Sequence, residues 1–240
     1  MEQVIYLRNS RPDIGLFTRN TTFGDEHELV EQFVEYFCHE FLRRNKSTRL
    51  AVFIEPKIDS GFPDVIFACY SPKIMDNWSE RREKLDTIDL KLLTYLYNAG
   101  GVSAAQIITI LGFPENQTTK SLEKLMDAKL VSYRSGCWYM CQLSNVFSIK
   151  KLISVEAKLS NISNVIDQSF VNMRFASHSY ALAGTARPQH ETIRTFSRHG
   201  IGLYCKGAKF KKYVDAVQHT LPSNHLSFLF NEWIGRAISH

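Results

Sequence analysis

Long apolar runs are missing from this chain. No stretch of its 240 residues reaches the roughly 18 consecutive apolar side chains that a bilayer-crossing helix needs, and the amino-terminal region has no apolar segment of signal-peptide length. The expectation is a soluble, cytoplasmic protein with no membrane partner. Cysteine is sparse: Cys38, Cys69, Cys137, Cys141 and Cys205 are an odd, scattered set in apolar or aromatic surroundings, which argues for buried thiols and against a disulfide framework. Cys137 and Cys141 are followed by no second Cys or His pair at ligand spacing, and His178, His190 and His199 show no such spacing, so no zinc site is expected. Internal repeats and low-complexity tracts are absent as well. The charge excess is small, a net +5 with a pI near 8.9, which permits nucleic-acid binding without requiring it. What remains is ordinary globular composition, 44% hydrophobic and 22% charged, enough for one large core or two smaller ones and too apolar for a disordered chain.

Hydrophobic periodicity places a helix over about 25–44, with Leu29, Val30, Phe33, Val34, Phe37, Phe41 and Leu42 on its inner face and Thr22 or Asp25 as cap. Two antiparallel strands follow, Leu50 to Glu55 and Phe62 to Tyr70, joined by a turn-rich Pro56 to Gly61. From about Ser79 to Ser148 the texture changes to three helical periodicities and an aromatic hairpin. The helices run from Thr87 to Asn98, from Ser103 to Gly112, and from beyond Pro114 through Met126. The hairpin pairs Leu130 to Tyr133 with Cys137 to Met140 about an Arg134-Ser135-Gly136 turn. The chain then resumes with a strand at Leu152 to Leu159, a helix at about 164–174, a short strand to Ala183, a helix near 191–198, a strand at Ile201 to Cys205 and a closing helix over about 228–237. The segment 79–148 therefore reads as an insert in a domain made of 1–78 and 149–240.

The helix-helix-helix-hairpin order of 79–148 resembles the winged helix-turn-helix family. The resemblance implies that the third helix enters the DNA major groove, with Asn116, Gln117, Thr119, Lys120 and Lys124 outward and Leu122, Leu125 and Met126 inward, while Arg134 at the wing tip reaches phosphate or the minor groove. An architectural, protein-binding role is the alternative, because Glu115, Glu123 and Asp127 dilute the positive charge.

Chemistry-bearing residues interrupt two of the apolar strands. Phe62-Pro63-Asp64 opens one, and Glu156-Ala157-Lys158 sits in another, where a period of two puts Glu156 and Lys158 on one side. Two charges on one face of an otherwise apolar strand need compensation. Asp64 and Glu156 are 92 residues apart, but removing an insert of about 70 leaves a connection that adjacent strands can use. Pro-Asp followed by Glu-x-Lys in this setting resembles the PD-(D/E)XK, restriction-endonuclease-like superfamily, over residues 25–204 apart from the insert.

That resemblance implies an α/β fold with an αβββαβ core and a mixed sheet, and hydrolysis of DNA phosphodiester bonds with Mg²⁺, for which Mn²⁺ may substitute. Asp64 and Glu156 would supply hard oxygen ligands, and Lys158 would orient the attacking water or stabilise developing charge. Gln168 stands where many members carry a glutamine near the site. Glu28, or Glu31 one turn on, matches the glutamate that some members add from the first helix. Glu55 reads equally as a metal-facing carboxylate or as a surface one beside Pro56, and Lys206, Lys209, Lys211 and Lys212 as a phosphate track or a solvated face. A homodimer would bring two sites to the two strands of a duplex. The rival reading is a DNA-binding regulator on a catalytically inactive nuclease fold; a nuclease acting on RNA or branched DNA is a further alternative.

Overall fold

The computed structural model describes residues 3–20, 23–159 and 163–240. In chain order the elements are β1 (Val4–Leu7), α1 (Asp25–Arg44), β2 (Arg49–Ile54), β3 (Val65–Tyr70), α2 (Thr87–Ala99), α3 (Ala104–Leu111), α4 (Glu115–Asp127), β4 (Val131–Arg134), β5 (Cys137–Met140), α5 (Leu143–Val146), β6 (Ile149–Lys158), α6 (Ser163–Met173), β7 (His178–Ala183), α7 (His190–His199), β8 (Gly202–Lys206), β9 (Phe210–Val214) and α8 (His225–Ser239). None of the described helices is long and apolar enough to cross a membrane. The chain divides into two compact units, one of residues 1–72 and 149–223, the other of residues 73–148 and 224–240.

The first unit is built on a seven-stranded mixed sheet in the order β1-β2-β3-β6-β7-β8-β9. The pairs β1/β2, β6/β7 and β7/β8 are parallel, and β2/β3, β3/β6 and β8/β9 are antiparallel. Both faces are covered, which is why β2 and β3 read as unbroken apolar runs rather than alternating ones. On one face α1 packs Leu29, Val30, Phe33, Val34 and Phe41 against Val52, Phe67, Val155 and Leu182. The opposite face carries a second cluster in which Val165 of α6 and Phe196 of α7 meet Ala181, Leu203 and Cys205.

Several sequence expectations change. Leu42 is exposed rather than part of the α1 stripe, since it follows Phe41 by 100° and lies outside the buried arc. The residue before α1 is Gly24, with no side-chain cap, and Asp25 is already helical; Thr22, the other expected cap, lies outside the described residues. The strand expected from Phe62 begins at Val65, so Asp64 stands just ahead of it. β1 and β9 were not anticipated: β1 is four residues long and mostly half-exposed, and β9 carries two lysines at its centre, so neither shows a strong apolar signal. Lys211 and Lys212 therefore lie in a strand rather than after the last one. All five cysteines are free.

The second unit departs from the expected boundaries. It begins at Lys73 rather than 79, and it includes α8, which the sequence reading gave to the first domain. The reason is a buried charge cluster. Arg82 is 1% exposed and forks onto Glu232 of α8, its Nε and Nη2 donating at 2.9 and 2.5 Å, while Nη2 also reaches the Val146 carbonyl at 2.9 Å. Trp78 covers the guanidinium, 4.4 Å from its ring centre. Arg236 then donates to the carbonyls of Arg82 and Leu85 at 3.0 and 2.7 Å. No periodicity in α8 announces this pairing across 150 residues.

Within this unit α2 and α3 each start with a capping box, at Asp86/Asp89 and Ser103/Gln106. β4 and β5 form an antiparallel hairpin whose turn residues Ser135 and Gly136 both have positive φ, at 50° and 78°, as a tight hairpin turn requires.

Candidate functional site

The end of β6 gathers most of the chemistry-bearing residues. The antiparallel register of β3 on β6 pairs Val65 with Val155, which carries Asp64 to the level of Glu156 and Ala157 on the neighbouring strand. The Ala157 N–H donates to Asp64 Oδ2 at 2.7 Å, fixing that carboxylate against the strand. On the other side β6 runs parallel to β7, with Glu156 level with Ala181 and Lys158 with Ala183. Ala181 and Ala183 both belong to the α6 and α7 face, so the backbone directs Glu156 and Lys158 to one side, but their side chains part: Glu156 turns to Asn172 of α6, whereas Lys158 reaches Glu26 of α1 and lines a different cavity.

Glu156 is 3% exposed. Its Oε1 accepts from Asn172 Nδ2 at 2.6 Å, whereas its Oε2 is buried without any hydrogen-bond partner. Burial first, and then the negative charge of Asp64, push its pKa up to about 8 against the pull of Asn172, Lys158 and the Asp64 backbone N–H, which approaches the carboxyl group without making a hydrogen bond of normal geometry. Asp64 is also raised, by burial and by Glu55 and Glu26, although the Ala157 N–H and Lys158 oppose this. Lys158 Nζ donates to Glu26 Oε2 in the first turn of α1 at 2.9 Å. Its partial burial favours the neutral amine, but the Glu26 bond and the charges of Asp64, Glu26 and Glu156 outweigh that and leave the ammonium's pKa raised.

A cavity of about 760 Å³ opens here. Its lining includes Arg19, Asp25, Glu26, Glu55, Asp64 and Lys158. Gln168, exposed on α6, lines it as well, and also lines a smaller cavity that reaches Glu156 and Asn172. Glu55 stands at the rim with φ of 43°, an uncommon conformation for a side-chain-bearing residue, and lies 3.8 Å from Arg19. The carboxylates outnumber the cations, so the cavity suits a cation better than a bare anion.

Of the residues singled out in the sequence, Asp64, Glu156, Lys158, Gln168 and Glu55 come together. Glu28 does not: it accepts from Gln32 one turn along the exposed side of α1 and is absent from the cavity wall. Glu31 is turned to Arg8. The helical glutamate at the site is Glu26. Helix phase explains the miss, because Glu28 lies two residues, about 200°, further round α1 than Glu26, which turns it away from the cavity. Asn172 was also missed, though it lies four residues after Gln168 and so on the same side of α6.

Two oxygen donors on paired strands and an unpartnered buried carboxylate oxygen fit a hard divalent cation. Among the described residues no group of three or more His, Cys, Asp or Glu is gathered closely enough to hold a metal. An ion here would take Asp64 and Glu156 and complete its shell with water, backbone carbonyls or substrate phosphate, as Mg²⁺ commonly does.

In the second unit Asn116, Thr119 and Lys120 are exposed along α4 and Gln117 is half-exposed. Lys124 is not free to face a ligand: its ammonium bonds Asp86 at 2.8 Å and the buried Asp89 at 3.0 Å, and Ser121 donates to the same Asp89 at 2.6 Å. Met126, expected inside, is exposed. Arg134 is exposed on the hairpin, with its guanidinium 4.3 Å from the Tyr139 ring centre.

No protein-family model matches the chain, and no curated protein matches it. Among solved structures, the crystal structure of protein VC1899 from Vibrio cholerae aligns over 77% of this chain and 70% of that one, at 12% identity and a TM-score of 0.24, an overlap too slight to inform the site.

Proposed function

We propose that the first unit is a metal-dependent nuclease of the PD-(D/E)XK type that hydrolyses DNA phosphodiester bonds, and that the second unit is a winged-helix module that holds the DNA. The observation that carries this reading is the buried, unpartnered Oε2 of Glu156 beside Asp64, with Lys158 at the same strand end. A carboxylate oxygen withdrawn from water without a donor is costly unless a proton or a cation meets it. The order α1-β2-β3-β6-α6-β7, once the second unit is set aside, agrees with the αβββαβ core that the motif implies.

Asp64 and Glu156 would hold Mg²⁺. When bound, the ion polarises the phosphate and lowers the pKa of an attacking water. The chain's own residues do the rest. Ala157 and Asn172 each fix one oxygen of the two carboxylates in advance. Lys158 presents an ammonium to the scissile phosphate, and Glu26 acts as a positioning residue that keeps it charged and aimed along the cavity. Gln168 is placed to donate to a phosphate oxygen. In the second unit Asn116, Gln117, Thr119 and Lys120 supply the base-edge and phosphate contacts of α4, with Arg134 on the hairpin.

The test is cleavage of supercoiled, linear and single-stranded DNA with Mg²⁺ or Mn²⁺, against EDTA and the Lys158→Ala protein, with binding followed in parallel. Metal-dependent cutting lost in the variant supports the nuclease. Tight binding with no cutting by either protein favours the regulator, a role for which the existing Lys158–Glu26 ion pair would be a resting structural contact.

A further inference from the structure

The first unit holds a second cavity, of about 490 Å³, at the opposite end of the sheet. Lys150 and Lys151 line it at the start of β6, whereas Lys158 ends that strand, so the two sites lie about 25 Å apart at the rise of an extended chain. Its character is the reverse of the first. Arg44, Lys150, Lys151 and Lys212 face it against a single carboxylate, Glu40, which is bonded to Arg43 and Arg44. Lys212 is paired with Asp215, while Lys150 and Lys151 have no carboxylate partner among the described residues.

The wall between these cations is aromatic. Tyr36, Tyr180 and Tyr204 line the cavity, with Tyr180 and Tyr204 ring centres 5.1 Å apart and Tyr36 braced on Phe210 at 5.2 Å. Tyr180 is held in place from below: it is level with Gly202 on β8, where an added Cβ would fall 2.1 Å from the ring. That glycine is what lets a tyrosine lie across the strand, so the aromatic wall is a built feature of the sheet. His178 also faces the cavity; burial, then Lys151, His219 and Lys212, lower its pKa, so near neutral pH it offers a hydrogen bond rather than charge.

The half-buried rings of Tyr36 and Tyr204, backed by the buried Tyr180, with four cations around them in a cavity of ligand size, are the complement of a phosphorylated heterocycle. We propose that this cavity binds a free nucleotide, with the base against the tyrosines and the phosphates on Lys150, Lys151 and Lys212. The site is independent of the carboxylate cavity and of what that cavity does.

Calorimetric titration of the full chain with ATP and AMP tests it, with adenosine, inorganic triphosphate and a 5′-phosphorylated oligonucleotide as comparisons, and circular dichroism to confirm that each variant folds. ATP is expected to bind at least about tenfold more tightly than adenosine or triphosphate, since each lacks one of the two recognition elements. Lys150→Gln/Lys151→Gln and, separately, Tyr36→Leu should each weaken binding by about tenfold or more, and Lys158→Ala should leave it unchanged. Should the paired lysine variant not fold, the exposed Lys151→Gln alone gives the same comparison. No nucleotide binding to folded protein overturns the proposal, as does triphosphate binding as tightly as ATP, or binding of the oligonucleotide alone, or affinity indifferent to Lys151 and Tyr36.

Discussion

Among the described residues, each unit buries one glutamate almost completely, and the two are treated in opposite ways. Glu232, in the second unit, is fully buried and meets both donors of the Arg82 fork, so its charge is neutralised where it stands. Glu156, in the first, has one oxygen on Asn172 and the other without a hydrogen bond of normal geometry, only the backbone of Asp64 standing near it, and its nearest charged neighbours include a second carboxylate. A protein that can satisfy a buried carboxylate with an arginine in one place has left another unsatisfied. The difference separates a charge that holds structure from a carboxyl group whose ionised form is disfavoured unless a cation meets it.

The largest effect that would sharpen this contrast is on cleavage. Glu156→Gln and Asp64→Asn keep the shape of each side chain and remove the negative charge, and each should lower metal-dependent DNA cleavage about a thousandfold or more, with Lys158→Ala close behind at roughly a hundredfold to a thousandfold. Glu232→Gln should leave the rate per folded molecule as it was. Single-turnover cleavage of a labelled duplex measures all four. An unchanged rate in Glu156→Gln would break the comparison at its functional end.

Stability should respond in the reverse sense. Glu232→Gln strands Arg82 in the interior and should cost about 3–5 kcal/mol in urea unfolding, the range seen when one partner of a buried pair is removed. Glu156→Gln should cost little and become stabilising at alkaline pH. The sign follows from proton linkage. The folded pKa of Glu156, about 8, lies above its unfolded value, so the folded state holds the proton more tightly. Its contribution is fully present below the unfolded pKa and is lost as pH rises through about 8. Without divalent cation the protein should thus lose on the order of a few kcal/mol between pH 5 and pH 9; the loss should be much smaller in Glu156→Gln, where the raised pKa of Asp64 remains, and should shrink when Mg²⁺ is added. Urea midpoints across that range, with EDTA and with Mg²⁺, check it; a flat profile in EDTA would show that Glu156 is satisfied after all.

The sequence made the strands around the site easy to read because β2, β3 and β6 are apolar runs whose few charges stand out against them. Asp64, Glu156 and Lys158 were legible for that reason. Glu26 was not: it is one of three acidic residues in the first turn of α1, all favourable beside a helix N-terminus, and only the angle at which the helix meets the sheet selects it. The attachment of α8 to the second unit was likewise hidden, because an arginine and a glutamate 150 residues apart look like surface charges until both are found buried. Lys124 shows the same limit from the other side. Its outward position on an amphipathic helix is what a DNA-reading residue needs, yet Asp86 and Asp89 from α2 claim it.

The smallest effects expected concern the second unit, where that distinction can be measured. Lys120→Ala should weaken DNA binding several-fold and reduce the slope of log affinity against log salt by about 1, because it removes one phosphate contact, and Arg134→Ala should do the same to a lesser degree. Lys124→Ala should behave differently. Its ammonium is half-exposed and already paired, so its loss should leave the salt slope intact while leaving Asp89 with Ser121 and its capping bond and lowering stability by about 1 kcal/mol. Fluorescence anisotropy with a labelled duplex at several salt concentrations, alongside thermal melts, distinguishes the two. If Lys124→Ala lowered the salt slope as Lys120→Ala does, the Asp86 and Asp89 bonds would have to open when DNA binds, and α4 would meet the phosphate backbone along its full length rather than at its first turns.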